Sequence, residues 1–112
     1  MPVLTSEYFD DLRQEFRQNI AGTLYHFPKL AGENVAGAGL TATFITYDPG
    51  NAVSQASTAA TITTIETFGR INCAIPALAT LDEDYRADIL WTTGGTTYFD
   101  SVQFDVVVYP FG

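Results

Sequence analysis

The sequence predicts a mainly β fold, an antiparallel β-sandwich with an amphipathic helix at its N-terminus. From residue 40 onward, short runs of β-branched and aromatic residues are separated by turn signals, a pattern typical of sandwiches. Gly94-Gly95 stands between two long alternating runs and predicts a two-residue hairpin. Before residue 21, apolar residues recur at helical spacing. We therefore divide the chain into a helical arm over 1–22 and a sandwich domain over 23–112.

The predicted helix covers residues 5–20. Thr5 is a suitable N-cap, and Gly22 is a suitable end. One apolar stripe runs along it, made of Tyr8, Phe9, Leu12, Phe16 and Ile20. Two alternatives remain open for this stripe: it packs on its own sandwich, or it docks on a neighbouring subunit.

The strands are placed by runs of strand-forming residues that end at prolines, glycines or Asp-rich turns. Residues 31–39 are small and glycine-rich and predict a flexible loop, whereas residues 52–57 predict a loop or an edge strand. The predicted strands are Thr23–Phe27, Leu40–Tyr47, Ala59–Ile65 and Phe68–Ile75, with a turn at Asp48–Asn51 between the second and the third.

The last hairpin is the best determined element. With Gly94-Gly95 as its loop, Trp91 lies opposite Tyr98 and Leu90 lies opposite Phe99. A bulge is expected at Asp100-Ser101. The run Val106–Tyr109 is apolar at every position, which predicts that part of it is covered on both sides.

Charge restricts the partners of this chain. The net charge is -8 with only five Lys and Arg, so it lacks the basic clusters that bind nucleic acid and would be repelled by an anionic membrane. Charged residues are 16% of the chain, against about 25% in typical soluble proteins, which favours a surface partly covered by neighbouring subunits. The sequence contains neither a membrane span nor a signal-peptide pattern, so we expect synthesis and retention in a cytoplasm.

The reactive side chains are few and scattered. Cys73 lies in an apolar run, which predicts a buried small hydrophobe, and His26 has no partner nearby in sequence. Residues 82–84 are acidic and predict a solvated corner, with a calcium site as the alternative. No catalytic or dinucleotide motif occurs. We therefore expect no enzyme activity, no catalytic or metal-binding residue, no cofactor and no small-molecule substrate.

The aromatic residues are divided between core and interface. Trp91, Tyr98 and Phe104 are expected to fill the core, because they alternate along the last two strands. Tyr109 and Phe111 belong to an aromatic C-terminal tail, and aromatic residues are enriched at binding hot spots. We therefore predict that the helical stripe and these two residues form protein interfaces.

Residues 70–109 contain a series of short motifs in a fixed order. A strand ends at a proline, a Tyr-Arg strand leads to a tryptophan, and a glycine hairpin precedes a Phe-Asp-Val-Val strand. The runs are Ile71–Pro76, Leu81–Ala87, Leu90–Thr92, Thr97–Phe99 and Phe104–Val107. This pattern resembles small immunoglobulin-like (Ig-like) sandwich proteins of tailed bacteriophage virions.

This resemblance implies a virion structural protein that is made in the host bacterial cytoplasm. Its partners would be other virion proteins and copies of itself in a symmetric assembly. A head–tail neck, connector or tail-completion role is favoured, and a capsid decoration protein is the closest alternative. A carbohydrate- or receptor-binding sandwich is a further alternative.

Overall fold

The computed structural model describes residues 14–108, and only the backbone of Asp82 and Glu83. Over this range the regular secondary structure consists of strands, in agreement with the predicted mainly β fold. The strands are β1 (Gln14–Arg17), β2 (Gly22–His26), β3 (Lys29–Leu30), β4 (Glu33–Asn34), β5 (Thr41–Tyr47), β6 (Val53–Ala59), β7 (Thr61–Ile65), β8 (Phe68–Ile75), β9 (Asp82–Thr93) and β10 (Thr96–Val107).

The described strands form three sheets. The largest has the order β1-β10-β9-β5-β6, the second has the order β2-β8-β7, and β3 pairs with β4. The β1–β10 pair is parallel, and all other pairs of described strands are antiparallel. β1 covers only the C-terminal end of β10, from Phe104 to Val107.

The predicted N-terminal helix is wrong over residues 14–20. Gln14–Arg17 form β1, and Asn19 adopts a positive φ of 64° in the turn that follows. Phe16 is buried while Glu15 and Arg17 are exposed, which is the period of two that a strand requires. The backbone partners on β10 come from 90 residues later in the chain, so a distant pairing overrides the local helical spacing. Residues 5–13 of the predicted helix lie outside the described residues.

Both larger sheets bury side chains in one cluster. Phe44, Trp91 and Phe104 come from the five-stranded sheet, and Leu24 and Ile71 come from the three-stranded sheet; all are at most 1% exposed. Burial of side chains of this size contributes about 1.5–3 kcal/mol each. The expected core positions of Trp91 and Phe104 are therefore confirmed.

The two larger sheets are also linked where their strands end. Ala60 separates β6 from β7, and its backbone N–H donates to the carbonyl of Ala42 on β5 at 2.9 Å. At the opposite edge, the Gln14 side-chain amide donates to the backbone carbonyl of Tyr25 and accepts from its N–H. Consecutive strands thus step from one sheet to the other at both edges.

The glycine-rich segment 31–39 is more ordered than the sequence predicts. It contains the turn and the second strand of the β3–β4 hairpin, and Val35 and Gly37 are buried. The N–H of Gly69 on β8 donates to the carbonyl of Val35 at 2.8 Å, and a Cβ at Gly69 would lie 2.6 Å from Leu40 Cδ2. Close packing against β8, rather than flexibility, is what the small residues permit here.

The last hairpin has the predicted pairing. Trp91 lies opposite Tyr98, and Leu90 lies opposite Phe99. Gly94 and Gly95 have φ of 58° and 82°, as a type I′ turn requires.

The C-terminal part of the last strand differs from two other expectations. The predicted bulge at Asp100-Ser101 is wrong, because the register is regular there and shifts only between Phe104 and Val106. Coverage of the terminal valines ends within the run, since Val106 is 2% exposed and Val107 is half-buried but Val108 is 57% exposed. Pairing with β1 ends at Val107, which explains the change.

Candidate interaction surface

A polar cluster joins the two larger sheets on the inner side of β10. Asp100 Oδ2 lies 2.7 Å from Nε2 of His26 on β2 and accepts a hydrogen bond of 2.9 Å from Nε1 of Trp91 on β9. The His26 and Asp100 side chains are 21% and 33% exposed. This partner of His26 is not evident from the sequence, because Asp100 lies 74 residues away and on another sheet.

Hydrogen bonding by His26 lowers the pKa of Asp100, and the hydrogen bond from Trp91 lowers it further, against the opposing effect of burial. Asp100 is therefore a carboxylate at neutral pH, and it is held inward by two donors. Among residues 14–108, no hydroxyl or thiol is hydrogen-bonded to His26. The cluster fixes the orientation of β10.

The outer side of the same strands carries an uncharged surface, which we call the hairpin face. Side chains alternate along β9 and β10, so Leu90 and Phe99 point away from the core while Trp91 and Tyr98 point toward it. Leu90 is 46% exposed and Phe99 is 58% exposed. The hairpin face consists of Thr41, Thr43, Leu90, Thr92, Thr97 and Phe99.

A shallow groove of about 230 Å³ lies on this face between β5 and the β9–β10 hairpin. Threonines contribute most of its lining, and Leu90 lies within it. Thr92 and Thr97 bond to each other through their hydroxyls at 2.8 Å. A surface of methyl groups and aromatic carbon without charged side chains suits contact with protein, because no charge has to be desolvated.

A charged network borders the hairpin face. Arg86 donates to Asp88 and to Asn51, and its guanidinium stacks over the Tyr47 ring at 4.4 Å. Ser101 also donates to Asp88. These contacts hold the Arg86 and Asp88 charges against one another at one end of the sheet, so they do not extend into the apolar area.

The strand edge beside the hairpin face is open in the described part of the chain. Residues 96–102 of β10 pair with β9 on one side, and no described strand pairs with them on the other, since β1 begins opposite Phe104. This segment, Thr-Thr-Tyr-Phe-Asp-Ser-Val, contains no proline, lysine or bulge. It therefore lacks three of the features by which edge strands avoid pairing with other chains, although it retains a fourth, the inward-pointing charge of Asp100.

The predicted interface residues are not brought together within the described residues. Phe16 is 7% exposed and packs edge-to-face on Phe104 at 5.2 Å between ring centroids, so it belongs to the chain's own core. Ile20 lies in the turn before β2 and is 56% exposed. The remaining predicted interface residues lie outside the described range: Tyr8, Phe9, Leu12, Tyr109 and Phe111.

The hairpin face was not among the predicted interfaces, although the sequence contains a signal for it. Once Trp91 and Tyr98 are assigned to the core, strand alternation places Leu90 and Phe99 on the opposite side. An aliphatic and an aromatic residue paired on the outer side of a hairpin are a candidate contact surface. The threonines of β5 could not be added from sequence alone, because the β5–β9 pairing is long-range.

Cys73 is fully buried, as predicted, and burial raises the pKa of its thiol to about 12. Within residues 14–108, no group of three or more His, Cys, Asp or Glu side chains is arranged to hold a metal ion. The same range contains no helix long and apolar enough to cross a membrane.

No protein-family model, curated protein or solved structure matches this chain.

Proposed function

We propose that this chain is a bacteriophage virion structural protein that works by docking onto other proteins in a symmetric assembly. A head–tail neck, connector or tail-completion position is favoured, and capsid decoration is the alternative. The observation that carries the docking part is the hairpin face, where exposed Leu90 and Phe99 lie beside a strand edge that no strand within residues 14–108 covers. The resemblance over residues 70–109 supports the virion part.

We further propose that the two larger sheets form an Ig-like sandwich. Their inward side chains share one buried cluster, as in two sheets packed face to face. The chain passes between the sheets at β1–β2 and again at β6–β7, which supports two layers closed along both edges. A sandwich leaves the outer side of the five-stranded sheet available for partners.

The virion proposal is tested with particles made by the phage whose genome encodes the chain. Antibodies are raised against the full chain, and purified infectious particles are analysed by quantitative mass spectrometry and by gold labelling in the electron microscope. We expect a fixed number of copies per particle and labelling at the head–tail junction. Labelling over the capsid instead identifies a decoration protein. Expression of the chain without incorporation into particles contradicts the proposal.

A second experiment separates docking from carbohydrate binding. A chain lacking residues 1–13 keeps β1 and the buried Phe16, so it retains the strands that the structure describes. Loss of this variant from particles, with the core intact by circular dichroism, shows that the removed segment serves assembly. Retention of specific binding on a glycan array by both chains, with no incorporation of either, supports the carbohydrate alternative and contradicts the virion proposal.

A further inference from the structure

We infer that two copies of this chain associate through the edge of β10 at residues 97–101, which no described strand covers, residue Phe99 of one copy lying opposite Phe99 of the other. The inference deepens the proposed function, since it names the contact by which identical copies meet. It rests on the backbone pattern of the β9–β10 hairpin, the exposed side chains along the edge and the distribution of charge.

The hairpin loop determines which backbone groups point to the free edge. Thr93 and Thr96 flank the two-residue type I′ turn, so they form the closing hydrogen-bonded pair of the ladder. Hydrogen bonding to β9 then recurs at every second residue of β10. The N–H and C=O groups of Thr97, Phe99 and Ser101 therefore point away from β9.

These three residues are complementary to themselves about a twofold axis. With the axis at Phe99, the two Phe99 residues form an antiparallel hydrogen-bonded pair, and Thr97 of each copy is paired with Ser101 of the other. Every second residue again bonds across the new interface, so all outward backbone groups from 97 to 101 gain partners. The two five-stranded sheets become one continuous sheet.

The side chains at this edge favour the same partner. Phe99, 58% exposed in the single chain, would lie beside its twofold mate on the outer side. Directly opposed aromatic residues on neighbouring antiparallel strands stabilise the pairing. Leu90 lies one strand further from the axis and contributes less to the contact.

Charge explains how an acidic chain can meet its own copy here. The net charge is -8, so most contacts between two copies are opposed by repulsion. Residues 96–102 contain one charged residue, Asp100, whose carboxylate faces inward to His26 and Trp91. The outward side chains of Thr97, Phe99 and Ser101 are uncharged. The nearby Asp88 carboxylate, which accepts from Ser101, is paired with Arg86, so repulsion at this edge is weak.

Sedimentation velocity of the full chain over a wide range of concentration tests the inference. We expect a concentration-dependent dimer, whose dissociation constant rises about tenfold or more in Phe99→Lys, because a lysine on an edge strand opposes pairing. Leu90→Lys is the matched control on the neighbouring strand, and we expect it to change the dissociation constant less than about twofold. If Phe99→Lys and Leu90→Lys raise the dissociation constant equally, the two copies stack through their hairpin faces, and edge pairing is overturned.

Cross-linking gives a second readout. In a hydrogen-bonded antiparallel pair the Cα atoms lie about 5.5 Å apart, which a disulfide can span. Phe99→Cys treated with an added mild oxidant should form a covalent dimer, whereas Leu90→Cys should not, and Cys73 is buried and does not compete.

A wild-type monomer at every concentration overturns the inference. A dimer that forms only after removal of residues 1–13 also overturns the inference, because residues 1–13 would then cover the edge of β10 in the full chain. Neither result affects incorporation into particles, which tests the proposed function separately.

Discussion

His26 and Asp100 join the two larger sheets through a contact of 2.7 Å between Nε2 and Oδ2. The histidine ends β2 in the three-stranded sheet, and the aspartate lies in the middle of β10 in the five-stranded sheet. Because Trp91 Nε1 donates to the same oxygen, one carboxylate satisfies donors from two other strands. This shared acceptor holds the inner side of β10 in place.

Substitution of Asp100 should show how much its carboxylate contributes to the free energy of unfolding. Asp100→Ala leaves the Trp91 N–H without a partner in a nearly fully buried residue, so we expect the free energy of unfolding to fall by about 1–3 kcal/mol. Asp100→Asn keeps an acceptor and should lose less. Urea denaturation at neutral pH measures both; an alanine variant as stable as wild type would show that water replaces the carboxylate.

The stabilisation by Asp100 should disappear in acid. Its pKa is lower in the folded chain than the ordinary value of about 3.9, so the charged form stabilises the fold above that value. The contribution is lost as the pH falls from about 3.9 through the lowered folded pKa. We therefore expect wild type and Asp100→Asn to differ in unfolding free energy at neutral pH and to converge in acid. The difference between the two chains isolates this carboxylate from the others, and a constant difference would contradict its assignment.

Gly69→Ala should destabilise the chain by overpacking. The added Cβ would lie 2.6 Å from Leu40 Cδ2 and 3.0 Å from Gly37 Cα, which is backbone and cannot rotate away. We expect a loss of about 1–3 kcal/mol in unfolding free energy. Gly50→Ala is the matched control, since its Cβ would make an ordinary contact of 3.5 Å with Asp48 Oδ1. Equal melting temperatures for Gly69→Ala and Gly50→Ala would show that segment 31–39 can move to accommodate the added Cβ without loss of stability.

Gly94 should accept asparagine but not valine. Its φ of 58° lies in the left-handed region, which asparagine adopts readily and a β-branched residue does not. We expect Gly94→Asn to change the unfolding free energy little and Gly94→Val to lower it by about 1–2 kcal/mol. The same denaturation assay measures both variants. An unfolding free energy that is unchanged in Gly94→Val would mean that the turn adopts another type.

Cys73 should be unreactive in the native chain. It is fully buried, and its pKa is raised to about 12, so the neutral thiol is the dominant form at pH 8. We expect almost no reaction with a thiol-specific disulfide reagent until urea unfolds the chain, when one thiol should react per chain. Rapid labelling without denaturant would indicate local opening of β8.

The last hairpin could be predicted from sequence because its determinants are local. The Gly94-Gly95 pair fixes both the turn and the register, and alternation then assigns Trp91 to the core and Phe99 to the surface. The segment around Phe16 was predicted wrongly because its helical spacing is local, whereas its β10 partners are far away in sequence. The contact between His26 and Asp100 was missed for the same reason, since strand patterns do not specify which residues meet between sheets.

The parallel pairing of β1 with β10 has a mechanical consequence. A force that pulls Gln14 and Val107 apart acts along the axes of two neighbouring strands in opposite directions. The hydrogen bonds between these strands are then strained together in shear, whereas an antiparallel terminal pair pulled in the same way would open one bond at a time. The chain is thereby arranged to carry tension between its first and last described strands without unzipping.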